Sequence, residues 1–226
     1  MQTLLEFFGV NKIAFTVISY PMSYVELLGT IFNLWSVWLI AKNRILTWPT
    51  GIIGVLLFLT LFYQIRLYSD AFEQVYYLIA CIYGWWRWTV AARRDDRPLP
   101  IRFSPLSTTL CCVVVSLAIS LGAGWVVSRL HIWSPSLFPE AAAYPYIDAA
   151  TTIMSFTAMI LMAQRRTESW IYWVVIDLVG VWLYYVKDVK LVSLLFVIYL
   201  GLAVNGLLSW RRLERLEAKV AAEAGA

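Results

Sequence analysis

Val25 to Ala41 reads VELLGTIFNLWSVWLIA, and PTGIIGVLLFLTLFYQI (Pro49 to Ile65) and LLFVIYLGLAVNGLLSW (Leu194 to Trp210) are just as apolar. Runs of this kind constrain the fold more than any other feature of the chain. Spanning a hydrocarbon core takes about 20 such residues as a helix, and only helices or closed barrels satisfy their backbone there. Strict alternation of apolar and polar residues is absent, so the spans are helices. Composition agrees: 14% of residues are charged and the mean hydropathy is +0.71, where a soluble domain carries roughly 25% charged residues.

Seven spans are read at about 20–41, 47–66, 70–91, 107–128, 146–164, 169–187 and 189–210, with boundaries good to a few residues. Residues 1–19 form an N-terminal surface segment, interrupted by Glu6 and Lys12 and lacking the basic start and cleavage site of a signal peptide. A short surface helix is expected there. With the N-terminus outside, the inside segments hold 13 of the 18 Lys and Arg residues and the outside segments hold 5. That split obeys the positive-inside rule and orients the chain N-out, C-in. The cysteines Cys81, Cys111 and Cys112 all fall inside spans and read as small apolar fillers.

The chain also repeats itself. At an offset of 122, Tyr24–Trp88 lies without a gap over Tyr146–Trp210, with 15 identities in 65 positions. Tyr24/Tyr146, Arg44/Arg166, Trp48/Trp170, Tyr77/Tyr199, Gly84/Gly206 and Trp88/Trp210 are among them, and Glu26 meets Asp148. Each repeat holds three spans, so a direct copy would be inverted in the membrane. The additional span STTLCCVVVSLAISLGAGWVVS (Ser107 to Ser128) turns the second copy back. The expected fold is an all-α integral membrane protein of 3+1+3 helices, with parallel repeats about an axis along the membrane normal, as in SWEET-type carriers. The units are a first repeat at 20–91, a cytoplasmic linker at 92–106, a linker helix at 107–128, an outside loop at 129–145, a second repeat at 146–210 and a cytoplasmic tail at 211–226. Trp86, Trp88 and Trp210 then end matched helices at the inner surface, where indoles anchor a span. The tail reads as a solvated helical extension.

Polar side chains at depth usually face the bundle interior or a cavity. Glu26, Thr30 and Asn33 share one face of the first span, and Asp148, Thr152 and Ser155 repeat that stripe. The third span has Glu73, Gln74, Tyr77, Cys81 and Gly84; the sixth has Asp177, Gly180, Tyr184 and Asp188. Asp177 in WVVIDLVGVW is the sharpest of these, as either a ligand group or an interhelical hydrogen-bond partner. Gly84 and Gly206 read as close-packing positions rather than ligand contacts. Trp35 is preferred over Trp38 for a ligand because of its neighbour Asn33, and Trp85 stands open between anchor and ligand.

Several chemistries are excluded. The single histidine, His131, falls in an outside loop, so no histidine metal cluster or proton relay is available. No GxxxxGK[ST] or GxSxG motif occurs, and the last span has no central lysine for a retinal. No catalytic residue, metal, cofactor or nucleic-acid partner is expected.

WLIAKNRILTWPTGIIG (Trp38 to Gly54), YGWWRW (Tyr83 to Trp88) and ESWIYWVVIDLVGVWLYYVKDVKLVSLLFVIYL (Glu168 to Leu200) together resemble the PnuC vitamin transporters over about residues 20–212. The proline signature of the SWEET sugar carriers is missing from the spans. The resemblance implies import of nicotinamide riboside (vitamin B3, a precursor for NAD biosynthesis) through a bacterial inner membrane. It also implies facilitated diffusion with trapping by a separate cytoplasmic riboside kinase. A flat pyridinium on a neutral ribose needs aromatic faces, a carboxylate and amides or hydroxyls. Trp35, Trp85, Trp182, Tyr77, Tyr184 and Tyr199 are the aromatic candidates, Asp177 the carboxylate, and Asn33, Gln64, Gln74 and Asn205 the amides. Thiamine and riboflavin remain alternative substrates, and a seven-helix channel or receptor the alternative class. The apolar exterior is compatible with a homotrimer in the lipid bilayer.

Overall fold

The computed structural model describes residues 9–17, 20–95 and 99–224. Seven helices run through them: α1 (Tyr24–Ala41), α2 (Thr47–Gln64), α3 (Tyr68–Asp95), α4 (Leu106–Trp133), α5 (Pro145–Ala163), α6 (Ser169–Val186) and α7 (Lys190–Ala224). Where a surface helix is expected near the start, two strands instead pair antiparallel, β1 (Ile13–Val17) and β2 (Tyr20–Ser23). Residues 1–8 and 18–19 of that expectation lie outside the described residues. Ser23 then caps α1, its hydroxyl accepting the Glu26 N–H at 3.3 Å. In the strand pair, burial and the adjacent Glu26 carboxylate push the Tyr20 phenol up to about 12.

Six helices are long and apolar enough to cross a bilayer by length and composition, and α3 falls short of that composition. The reason is visible in its faces. Asp70, Glu73 and Gln74 turn toward an internal cavity, while Phe72, Ile79, Ile82 and Trp86 are exposed on the outer face. With 28 residues α3 exceeds the ~30 Å hydrocarbon core at 1.5 Å per residue.

The packing order is a closed ring: α1 on α2, α2 on α3, α3 on α5, α5 on α6, α6 on α7, and α7 back on α1. Shifting each helix by one repeat (α1 to α5, α2 to α6, α3 to α7) maps every contact of this ring onto another. The offset of 122 is therefore a two-fold relation in space. It extends to the turns, where the non-glycine residues with positive φ among the described residues are Asn43 and Arg165 (54° and 55°) and Arg66 and Asp188 (62° and 59°). Each ends a helix in a Schellman arrangement. Arg44 N–H donates to Leu39 and Arg166 N–H to Leu161, both at 2.9 Å.

Helix α4 stands outside the ring and packs on α5. Its contact face is a small-residue stripe of Ser116, Ser120 and Gly124. Ser116 and Thr157 share a hydrogen bond of 2.8 Å, and a Cβ on Gly124 would lie 2.5 Å from the Tyr146 ring. Cys111 on its outer side is exposed, whereas Cys81 is buried in the ring.

Candidate functional site

The ring encloses a cavity of about 1020 Å³. At the strand-pair end it reaches Asp70, Glu140, Asp148, His131 and Lys187; at the other end it stops at Trp48 and Trp170. We call that second end the linker end, because residues 99–105 close it. His131, expected in a loop, sits in the last turn of α4 and lines the mouth.

Beneath the cavity floor lies a layer of four indoles. Trp48 packs edge-on against Trp88 at 5.3 Å and 87°, and Trp170 against Trp210 at 5.7 Å and 82°. Trp88 and Trp210 then meet at 6.4 Å. Their relative exposures of 2%, 3%, 1% and 0% (Trp48, Trp88, Trp170, Trp210) overturn the reading of Trp88 and Trp210 as surface anchors. Exposed Trp86 keeps a position suited to that role, as does Trp85. Each buried pair is admitted by a glycine, Gly84 under Trp48 and Gly206 under Trp170. Both repeat-to-repeat seams are bonded here: Trp88 donates its indole N–H to Ala163 O at 3.0 Å and Trp210 to Ile40 O at 2.9 Å. Those carbonyls belong to the last turns of α5 and α1, and Ile40 O also accepts the Asn43 N–H at 2.8 Å.

Arg165, from the α5–α6 turn, completes the layer. Its guanidinium lies 4.1 Å over the Trp88 ring, and Nη1 donates to Leu99 O at 2.6 Å. Burial pushes its pKa down to about 10, and the nearby Glu217 charge works against that shift, so it is a cation at neutral pH. The extension of α7 is not simply solvated. Glu217 accepts the Ile101 N–H at 2.9 Å, and Glu214 accepts the Phe103 N–H at 2.7 Å.

Of the sequence candidates, Asn33, Gln74, Tyr77, Asp177, Tyr184 and Tyr199 line the cavity together. Trp35, Trp85 and Trp182 do not; at 48%, 43% and 49% exposure they sit on the bundle's outer face. Gln64 ends α2, where it accepts the Val10 N–H at 3.0 Å, and Asn205 is exposed and accepts the Ser209 hydroxyl at 3.3 Å. One group missed in the sequence is Trp173, which lines the cavity beside Asp177; Glu73, read as a polar residue at depth and not as a ligand group, also lines it and accepts the Thr152 hydroxyl at 2.8 Å across the α3–α5 seam. Helical spacing points to Trp173, since it lies four residues before Asp177.

The cavity breaks the two-fold symmetry of its frame. Tyr77 and Tyr199 correspond, but Asp177 faces Val55 at the matched position, Trp173 faces Gly51 and Asn33 faces Ser155. Asp177 and Trp173 therefore have no counterpart in the first repeat, just as Asp70 and Glu73 of that repeat meet Val192 and Leu195 in the second.

A multi-pass membrane protein with a cavity between two three-helix repeats has the architecture of a small-molecule carrier. The family model described as nicotinamide mononucleotide transporter matches residues 23–212, and the chain belongs to that family. The nicotinamide riboside transporter PnuC of Escherichia coli (strain K12) is 30% identical over 228 residues, covering 91% of this chain and 94% of the relative. The riboflavin/roseoflavin transporter RibM of Streptomyces davaonensis is 24% identical over 202 residues, covering 89% and 91%. The fold is shared with the crystal structure of the vitamin B3 transporter PnuC, with a TM-score of 0.63 and 20% identity over 85% of this chain and 82% of that one.

Proposed function

We propose that the chain imports nicotinamide riboside by facilitated diffusion, with the two repeats rocking about the central cavity. The observation that carries this reading is the buried Asp177 among Trp173, Tyr77, Tyr184 and Tyr199. Aromatic faces attract a flat cation by about 0.5–2 kcal/mol per contact, and a carboxylate offsets the loss of its hydration. Asn33 and Gln74 supply hydrogen bonds for the ribose hydroxyls. The acidic mouth of Asp70, Glu140 and Asp148 suits a cation as well.

The phosphorylated mononucleotide is refused in this reading. Among the described lining residues the basic groups are His131 and Lys187, both at the strand-pair end, so nothing at mid-depth complements a phosphate. The N-out, C-in orientation puts the cavity mouth outside, and an inside-negative potential favours cation entry by about 2.3 kcal/mol per 100 mV. The location is the bacterial inner membrane, and a separate cytoplasmic kinase traps the riboside. A homotrimer suits the apolar exterior.

Riboflavin is the second reading, favoured by the similarity to RibM. Counterflow separates them. Proteoliposomes loaded with unlabelled nicotinamide riboside should transiently accumulate labelled riboside without an ion gradient, and excess thiamine or riboflavin should not block it. Accumulation only in riboflavin- or thiamine-loaded vesicles overturns the substrate, and non-saturating flux without counterflow overturns the carrier.

A further inference from the structure

We propose that the tryptophan layer is the linker-side gate of the carrier, and that it opens by movement of the α1–α2 turn while the second repeat stays clasped. The inference rests on the alternating-access reading above and adds which contacts part and which half moves.

Three observations carry the gate. The cavity ends at Trp48 and Trp170, and the layer beneath them is buried through Trp88, Trp210, Arg165 and Ile101. Both seams between the repeats are bonded in this layer, by the Trp88 indole to Ala163 O and the Trp210 indole to Ile40 O. Among the described residues, the cavity's linker end is closed by this layer, and the bonds across both seams lie within it. Arg165 stacks on Trp88 across the first seam, which makes that seam the more strongly held of the two.

The asymmetry of the matched turns identifies the moving half. Residues 42–46 and 164–168 share the same backbone, as Asn43 and Arg165 show. In the second repeat this turn is tied down. Arg165 O accepts the Arg102 N–H at 3.3 Å, and Thr167 N–H donates to Arg102 O at 3.3 Å. Glu168 accepts the Ser104 N–H at 3.2 Å, and the Thr167 hydroxyl reaches Glu214 at 3.2 Å. Linker, turn and α7 extension are thus one body. In the first repeat the matched positions are Ile45 and Leu46, both exposed, and no element covers them among the described residues. The weaker seam, Trp210 to Ile40, joins this uncovered turn to the clasped body.

The test measures distances between spin labels in the full-length protein in nanodiscs and needs no substrate, so it stands apart from the riboside assay. One pair places labels at Leu46 and Leu106, across the gate; the other at Leu106 and Leu216, within the clasped body. Trp88→Phe with Trp210→Phe leaves a smaller aromatic ring at each position and removes both indole N–H groups. The expected result is about a tenfold rise in a second, longer 46–106 population, with the 106–216 distance unchanged. An unchanged 46–106 distribution overturns the gate, and a shift in 106–216 overturns the clasp. If the double variant is not recovered, Arg165→Lys leaves both indoles in place and is judged by the same two pairs.

Discussion

Gly84 lies so close beneath Trp48 that a Cβ added to it would stand 2.3 Å from the indole, and Gly206 stands in the same relation to Trp170 at 2.5 Å. The neighbouring atoms are rings held edge-on by two further indoles, so they have little room to retreat. Gly84→Ala or Gly206→Ala should therefore destabilise by about 1–3 kcal/mol through overpacking. Gly201→Ala, with nothing within 4 Å of the added methyl, should be neutral or slightly stabilising. Thermal unfolding in one detergent compares the three; equal melting temperatures would contradict the packing argument.

Trp173→Ala should weaken riboside binding by about tenfold, about 1.4 kcal/mol, because it removes the indole beside Asp177. Trp35→Ala and Trp182→Ala, on the outer face, should leave affinity within about twofold. Titration calorimetry on the purified variants decides it.

Asp177→Asn keeps the shape of the side chain and deletes its charge. Uptake of the cationic riboside should fall by at least about tenfold, since a nearby charge in a dry site is worth more than 1 kcal/mol. Affinity for an uncharged aromatic vitamin should fall less. Equal losses for both would assign Asp177 to bundle structure alone.

Glu214→Ala and Glu217→Ala each remove the acceptor of a linker amide. Hydrogen exchange at Phe103 and Ile101 should speed up by about tenfold in the respective variant, with the spans of the ring unchanged. Unaltered exchange would mean that the linker is held by Arg165 and Glu168 without the α7 extension.

The frame of this molecule was legible because its signals are local and repeated. Apolar runs set the helices, and the gapless offset of 122 set their pairing. The site was legible where helical arithmetic was applied. Asp177, Gly180 and Tyr184 share a face, and all line the cavity. It failed where arithmetic was replaced by adjacency. Adjacency to Asn33 favours Trp35, yet residues two apart on a helix differ by about 200°, and Trp35 is exposed on the outer face. Trp88 failed for another reason. Tryptophan suits a membrane interface and a buried cluster equally, and its burial here depends on partners 75 and 122 residues away, Ala163 and Trp210. The strand pair Ile13–Val17 and Tyr20–Ser23 is not legible in the sequence because a short mixed segment carries no period long enough to read.

The closed contact ring has one further consequence. A chain of three such helices could build the same ring as a pair of identical copies, but every side chain would then appear twice, and a ligand would meet two equal halves. Joining the halves through α4, which stands aside from the ring, lets each copy diverge on its own. Asp177 opposite Val55 and Trp173 opposite Gly51 use that freedom: a symmetric frame around a lopsided cavity, which two identical copies could not build.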